Sequence, residues 1–230
     1  MSLLSRGLSI CAALAMILGG SAAFAATSLI GGVSQKDYKG ATGAPAGGGA
    51  SPLYFANDVY SGETVATPDA GATRLTFEDL TELHLGSNST VVLDHFIYDP
   101  TTRTGDAAIS FSKGIFRFVT GDIQNKSNVK LTTPTTSLTI RGTNFKLIVN
   151  DAGTIVEVKE GHVEIKPCGG TAETRLVSPG EAVQVTASCN VKSIALGDVP
   201  TDPGTDAGGP RDGGPGHEPP APPARGGANG

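Results

Sequence analysis

The sequence predicts an all-β protein with short strands, arranged like a β-solenoid or like a sandwich. Between residues 105 and 165, apolar residues alternate with polar ones and the breaks fall at glycine or asparagine, as in half-buried strands joined by tight turns. No window of comparable length has the periodicity of a helix. Tryptophan is absent and only 5% of the residues are aromatic, so the core must come from Val, Leu, Ile and Thr, which favour pleated sheets.

The length and the charge of the chain limit the number of domains and the kinds of partner that we expect. The chain has 230 residues, but its 32 glycines and 15 prolines are unevenly placed and reduce the part that can order, so we expect one modest domain. It carries 17 basic and 22 acidic residues, a formal net charge of −5, without a basic cluster along the sequence. Nucleic-acid binding depends on such a cluster, so no nucleic-acid partner is expected.

Residues 1–25 are predicted to be a signal peptide. They contain a single basic residue, Arg6, an apolar run over 8–18 and a small-residue end, with cleavage expected after Ala25. The apolar run is too short for an uncleaved membrane anchor, which needs about 20 apolar residues, and no later segment approaches that length. The mature chain is therefore expected in the periplasm or outside the cell, without a membrane span.

The rest of the chain is predicted to divide into three parts. Residues 26–52 are rich in glycine and alanine and form a flexible leader segment, because little in them can be buried. Residues 53–197 form the β domain, where short apolar stretches alternate with turn residues, as in a sandwich, a barrel or a stacked β-solenoid. Residues 198–230 are rich in Gly, Pro and Asp and form a disordered acidic tail.

Removal of the signal peptide leaves two cysteines, Cys168 and Cys189. An isolated pair of cysteines in a small exported β domain predicts a disulfide. Such a bond would stabilise the fold by about 3 kcal/mol, because it lowers the conformational entropy of the unfolded chain. A reactive pair is the alternative, but it requires a C-x-x-C spacing or a basic neighbour that lowers the thiol pKa, and the sequence has neither.

Four sequence blocks resemble one known family. They are GETVAT at 62–67 with LHLGSNS at 83–89, KGIFRF at 113–118, TTP at 132–134 with RGTNF at 141–145, and VEVKEGHV at 156–163. Their order and spacing are similar to those of the FecR domain, over roughly residues 54–185. The resemblance implies an all-β periplasmic module with a β-solenoid-like arrangement of strands. We assign structural roles in the family motif to Gly114, Phe116, Pro134, Arg141, Gly142, Thr143, Phe145 and Gly161.

The resemblance also implies a class of function. In the regulators that give the family its name, this module relays a signal from an outer-membrane siderophore transporter to a sigma factor. Those regulators carry a cytoplasmic anti-sigma segment and a transmembrane helix before the module, whereas this chain is expected to have only a cleavable leader. The chain is therefore similar to stand-alone exported members, and we expect a non-enzymatic interaction, signalling or scaffold module with a protein partner in the cell envelope. The alternative is a periplasmic protein that binds a carbohydrate or a metal ion.

Three residues of the motif region have specific expected roles. Gly142 is predicted to supply a β-bulge or a positive φ where one strand gives way to the next. Gly114 is predicted to be a turn glycine that opens a strand. Arg117 alternates to the face opposite Phe116 and Phe118, so we expect it to be solvated or in a surface salt bridge.

The sequence contains no recognisable catalytic or metal-binding motif. The four histidines, His84, His95, His162 and His217, are scattered, without the spacing of a zinc site, and nucleotide-binding and hydrolase motifs are absent. Glu82 and Glu160 each lie two residues before a histidine, on the same strand face, and we interpret both as surface pairs. Neither an enzymatic activity nor a cofactor is expected.

Overall fold

The structure, a computed structural model, describes residues 28–37, 39–170 and 173–202, so the predicted signal peptide lies outside the described residues. The prediction of an all-β fold is confirmed, because the described chain forms fifteen β-strands and two short 3₁₀ helices. The strands are β1 (Leu29–Val33), β2 (Thr42–Ala44), β3 (Ser51–Pro52), β4 (Asp58–Tyr60), β5 (Glu63–Ala66), β6 (Thr73–Phe77), β7 (Glu82–Leu85), β8 (Thr90–Asp99), β9 (Thr104–Val119), β10 (Val129–Thr132), β11 (Thr136–Asn150), β12 (Gly153–Pro167), β13 (Arg175–Val177), β14 (Ala182–Thr186) and β15 (Val191–Ile194), and the 3₁₀ helices are Lys126–Asn128 and Leu196–Asp198.

Three long strands, β9, β11 and β12, are shared between two layers. In the first layer the strand order is β3-β2-β5-β8-β9-β10-β11-β12-β13, and all neighbours are antiparallel except β9 and β10. In the second layer the order is β4-β1-β6-β7-β9-β11-β12-β14-β15, all antiparallel. The first half of β9 belongs to the first layer and its second half to the second. β11 likewise begins in the first layer and ends in the second, whereas β12 begins in the second layer and ends in the first.

The core lies between the two layers. Buried Val, Leu, Ile and Phe side chains from both layers form one hydrophobic cluster. Phe77 on β6 stacks on Phe96 on β8 with the ring centroids 5.0 Å apart, which is a direct contact between the layers. This arrangement corresponds to the sandwich alternative of the prediction, with strands that cross from one layer to the other.

Glycines bend the shared strands where they cross. Gly114 has a φ of 121° and lies inside β9, so the prediction of a turn glycine that opens a strand is wrong. A Cβ at this position would lie 2.2 Å from Oγ of Ser89, so the neighbouring chain fills the space that a side chain would need. The register between β8 and β9 shifts at the same place, between Thr90 and Val91. The glycine therefore bends a continuous strand.

A bulge bends β11 and β12 together. The register between the two strands shifts between Arg141 and Asn144, and Gly142 and Gly161 have φ values of 64° and 70°. The positive φ predicted at Gly142 is thus present, but it lies within one long strand and does not separate two short ones. Gly161 faces the backbone of β11 so closely that a Cβ would lie 1.9 Å from the carbonyl oxygen of Gly142.

The segment expected to be a flexible leader contributes three strands. β1 lies between β4 and β6 in the second layer, and β2 pairs with β5 in the first. Ile30 and Val33 of β1 belong to the hydrophobic cluster. Gly31 allows the close approach, because a Cβ there would lie 2.4 Å from the carbonyl oxygen of Thr76. Glycine in this segment therefore permits strand pairing, which its composition alone does not reveal.

The disulfide joins Cys168 to Cys189, with the two Cα atoms 5.2 Å apart. Cys168 follows the end of β12, and Cys189 lies in the turn between β14 and β15. The bond therefore connects the end of a shared strand to an edge of the second layer. No helix in the described residues is long and apolar enough to cross a membrane.

Candidate functional site

The motif residues are spread through the fold. Phe116 and Phe145 are fully buried in the hydrophobic cluster. Thr143 is buried at the bulge, where its backbone N–H donates to Oγ1 of Thr120 at 2.9 Å. Pro134 and Arg141 are exposed, and Arg141 donates to the Glu164 carboxylate at 2.9 Å. These contacts position strands and do not create a cleft.

The histidines are also separated. His95 on β8 forms a short contact with Asp106, His162 on β12 is exposed, and His217 lies outside the described residues. His84 on β7 contacts Glu82 through Nε2 and Oε2 at 3.1 Å, so the predicted pair forms, but His84 is buried and the pair is not a simple surface pair. Within the described residues, no group of three or more His, Cys, Asp or Glu side chains could hold a metal ion.

The outer face of the second layer carries four basic side chains in one row. Arg74 on β6 lies directly opposite His84 on β7, His84 lies opposite Arg117 on β9, and Arg117 lies opposite Lys146 on β11. Neighbouring strands are about 4.8 Å apart, so the row crosses four strands over roughly 14 Å. We call Arg74, His84, Arg117 and Lys146 the basic row. Glu157 on β12 is the next residue in register, opposite Lys146.

Three members of the basic row have almost no solvent contact. The exposed fractions of His84, Arg117 and Lys146 are 2%, 5% and 3%, so the prediction that Arg117 is solvated is wrong. Arg117 donates from Nε to Oδ1 of Asn144 at 3.1 Å. Nε of Arg74 is buried and has no hydrogen-bond partner among the described residues. A guanidinium nitrogen without a partner is unfavourable, and an anion at the row could satisfy it.

The row changes the titration of its histidine. Burial lowers the pKa of His84, and the charges of Arg74 and Arg117 lower this pKa further, whereas the contact with Glu82 opposes the shift. His84 is therefore held in its neutral form between two cations.

An apolar patch lies on the same face beside the basic row. It consists of Ile115, Ile148, Ile155, Ala182 and Ile194, contributed by β9, β11, β12, β14 and β15. Residues 195–202, which we call the strap, run from the end of β15 back across this patch. Val199 of the strap packs on the patch and is buried. The predicted tail therefore begins too early at 198, because the described residues up to 202 belong to the folded domain.

The strap ends in a carboxylate pocket. The side chain of Asp202 accepts a hydrogen bond from the backbone N–H of Ser87 at 3.1 Å and a second, short one from the Ser87 hydroxyl. A Cβ on Gly86 would lie 2.7 Å from Cγ of Asp202, so a glycine is required to make room for the carboxylate. Nζ of Lys146 donates to the carbonyl oxygen of Pro200 at 3.5 Å, which joins the strap to the basic row.

Comparison with known proteins identifies the domain that carries this face. Residues 63–164 match the family described as FecR protein. This part of the chain is similar to the FecR domain. All four members of the basic row lie within the matched part of the FecR domain, whereas the strap and strands β1–β4 and β13–β15 lie outside it. The resemblance inferred from the sequence blocks is therefore confirmed.

Solved structures give a weaker comparison with the FecR domain. Two crystal structures, at 2.50 and 1.65 Å resolution, of a presumed anti-sigma factor from Parabacteroides distasonis ATCC 8503 are 16% identical to the chain, with TM-scores of 0.48 and 0.46. In both, the match covers 57% of this chain and 59% of the other. No curated protein matches the chain.

Sequence reasoning missed the basic row and the strap. Three members of the row occupy the same local pattern, a basic residue between two apolar ones: LHL at 83–85, FRF at 116–118 and FKL at 145–147. That repeated pattern could have indicated a basic stripe on one face of a sheet. Strand register decides whether such residues meet, and register was not available from the alternation alone.

Proposed function

We propose that the protein is an exported interaction module that binds a protein partner in the cell envelope through the outer face of its second layer. The FecR domain supports a regulatory or interaction role over an enzymatic one. The disulfide between Cys168 and Cys189 is compatible with an oxidising compartment and so supports export. Together with the predicted signal peptide, this supports a periplasmic or secreted location.

The observation that carries the proposal is the basic row. Like charges directly opposite each other in neighbouring strands destabilise a sheet, and Arg117 and Lys146 form such a pair on β9 and β11. Local arrangements that oppose folding are expected at functional sites. A partner that brings carboxylates to the row would remove the repulsion and satisfy Nε of Arg74.

The ends of the row give the partner its access. Arg74 at one end and Glu157, next in register at the other, are only half-buried. An acidic segment can therefore contact the row at Arg74, while the buried members of the row contribute a long-range positive potential. The proposed partner surface is acidic.

Site-specific crosslinking tests the proposed face. A photo-crosslinking amino acid replaces Glu157 on this face or Lys130, which is exposed on the outer face of the first layer, in the full chain in its native envelope. We expect position 157, and not position 130, to give adducts with an envelope protein. Charge reversal by Arg74→Glu should reduce the adducts from position 157. Equal adducts from both positions, or recovery of cell-wall material alone, would contradict the proposal.

A further inference from the structure

Few interactions hold the strap on the second layer. Within the described chain, the backbone hydrogen bonds of the strap are its own: Asp198 N–H to the Ala195 carbonyl and Val199 N–H to the Leu196 carbonyl. The strap is anchored by one apolar side chain, Val199, by the hydrogen bond from Lys146 to the Pro200 carbonyl and by one carboxylate, Asp202. Leu196 is 49% exposed. A segment held at these few points can leave the sheet without unfolding it.

The surface under the strap has the features of a binding groove. Its floor is the apolar patch, which five strands contribute. Its end is the carboxylate pocket, formed by the N–H and hydroxyl of Ser87 and by the space at Gly86. Lys146 lies between the two and donates to a backbone carbonyl of the bound segment. The groove thus recognises an aliphatic side chain, a backbone carbonyl and a carboxylate in sequence.

We propose that this groove is a peptide-binding site, which the strap occupies as an internal competitor. The occupant that it selects is an extended partner segment with an aliphatic residue three positions before an aspartate or glutamate, the spacing of Val199 and Asp202. This inference rests on the proposed function, because it names the partner chemistry and the regulation of the same face. A partner segment binds when it displaces the strap.

Competition determines how affinity should respond to strap substitutions. A tethered segment competes at an effective concentration in the millimolar range, which weakens the binding of any free peptide. A hydrogen-bonded carboxylate contributes enough that its removal should change occupancy by about tenfold or more. Weakening the strap should therefore strengthen the binding of an external peptide.

The test uses the full mature chain and a fluorescent peptide of residues 194–202, IALGDVPTD, with binding followed by anisotropy. We expect the Asp202→Ala protein to bind the peptide at least tenfold more tightly than the unsubstituted protein. Asp198→Ala is the matched control, because Asp198 is an exposed carboxylate of the same strap. It should change the affinity less than twofold.

A second peptide isolates the carboxylate pocket. The same peptide with alanine at its final position should bind the Asp202→Ala protein at least tenfold more weakly. A Val199→Ala protein, whose strap retains its carboxylate, should also bind the unaltered peptide more tightly than the unsubstituted protein. Equal binding of the two peptides, or equal effects of Asp202→Ala and Asp198→Ala, would overturn the inference.

The two proposals fail in different ways. If no variant binds the peptide while position 157 still crosslinks to an envelope protein, the groove inference is wrong and the proposed function stands. If the peptide binds as expected but position 157 gives no envelope adduct, the groove inference stands and the envelope partner is wrong.

Discussion

A substitution at Gly161 should be much more damaging than the same substitution at Gly142. Both glycines lie in the bulge between β11 and β12 and have similar φ values, 70° and 64°. Their surroundings differ: a Cβ at Gly161 would lie 1.9 Å from the carbonyl oxygen of Gly142, whereas a Cβ at Gly142 would have no atom within 4 Å. The pair therefore separates the effect of backbone conformation from that of steric overlap.

The expected magnitudes follow from these contacts. An alanine in the left-handed region costs about 1–2 kcal/mol, and this is the whole expected loss for Gly142→Ala. In Gly161→Ala the Cβ also overlaps a backbone carbonyl, which no side-chain rotation can relieve. The two strands must then move apart, as in overpacked cores, at a further cost of about 1–3 kcal/mol. The total loss for Gly161→Ala is about 2–5 kcal/mol.

Urea unfolding of the mature chain, followed by far-UV circular dichroism, measures both losses. Tryptophan fluorescence is not an option, because the sequence has no tryptophan. The slope of the free energy against urea should stay the same, so that a shift in the midpoint reports stability. Equal losses for the two variants would show that the contact between Gly161 and the opposite strand does not restrict this position, and would refute the reasoning.

Three further predictions concern titration and the disulfide. The pKa of His84 is lowered in the folded state by burial, so its contribution to the free energy of unfolding is complete above about pH 6.5 and is lost as the pH falls from there through the folded pKa; His84→Gln should flatten this dependence between pH 7.5 and 5 in urea midpoints. The pKa of Glu63 is raised by burial, despite a backbone hydrogen bond from Tyr60, so its ionised form destabilises the fold at neutral pH. Glu63→Gln should therefore raise the free energy of unfolding at pH 7.5, with a gain that shrinks toward pH 4; a gain independent of pH would contradict this assignment. Replacing Cys168 and Cys189 with serine should lower the free energy of unfolding by about 3 kcal/mol, and a reductant should lower it equally in the unsubstituted protein while leaving the double variant unchanged.

The alternation of apolar and polar residues along the chain was sufficient to predict an all-β fold, but it did not predict the length of the strands. Phe145 and Leu147, two residues apart, are both buried on the core side, as the alternation of apolar and polar residues in this region predicts. The glycines at 114 and 142 were expected where one strand gives way to another, yet each lies inside a single strand. A local pattern cannot distinguish a turn from a bulge, because the difference depends on whether the partner strand continues past the glycine.

The parts of the fold that sequence reasoning missed all depend on distant contacts. β1 is buried through its partners in β4 and β6, and its own glycine content predicts a flexible chain. Val199 is buried by residues from five strands, although it lies in a segment rich in Gly, Pro and Asp. Arg117 was placed on the correct face, but its burial follows from the register of four neighbouring strands. The composition of a segment does not show which distant strands pack against it, and the burial of these three parts of the chain depends on such strands.

The sharing of three strands between layers bears on how the domain can be divided. A fragment limited to residues 63–164 would lose β1–β4 and β13–β15 together, and so the outer strands of the second layer on both sides. β6 and most of β12 would then be open edges, and β12 is a long strand rich in Val and Ile. Unprotected edges of this kind pair with other chains. The isolated fragment should aggregate, whereas residues 28–202 contain the strands that prevent it.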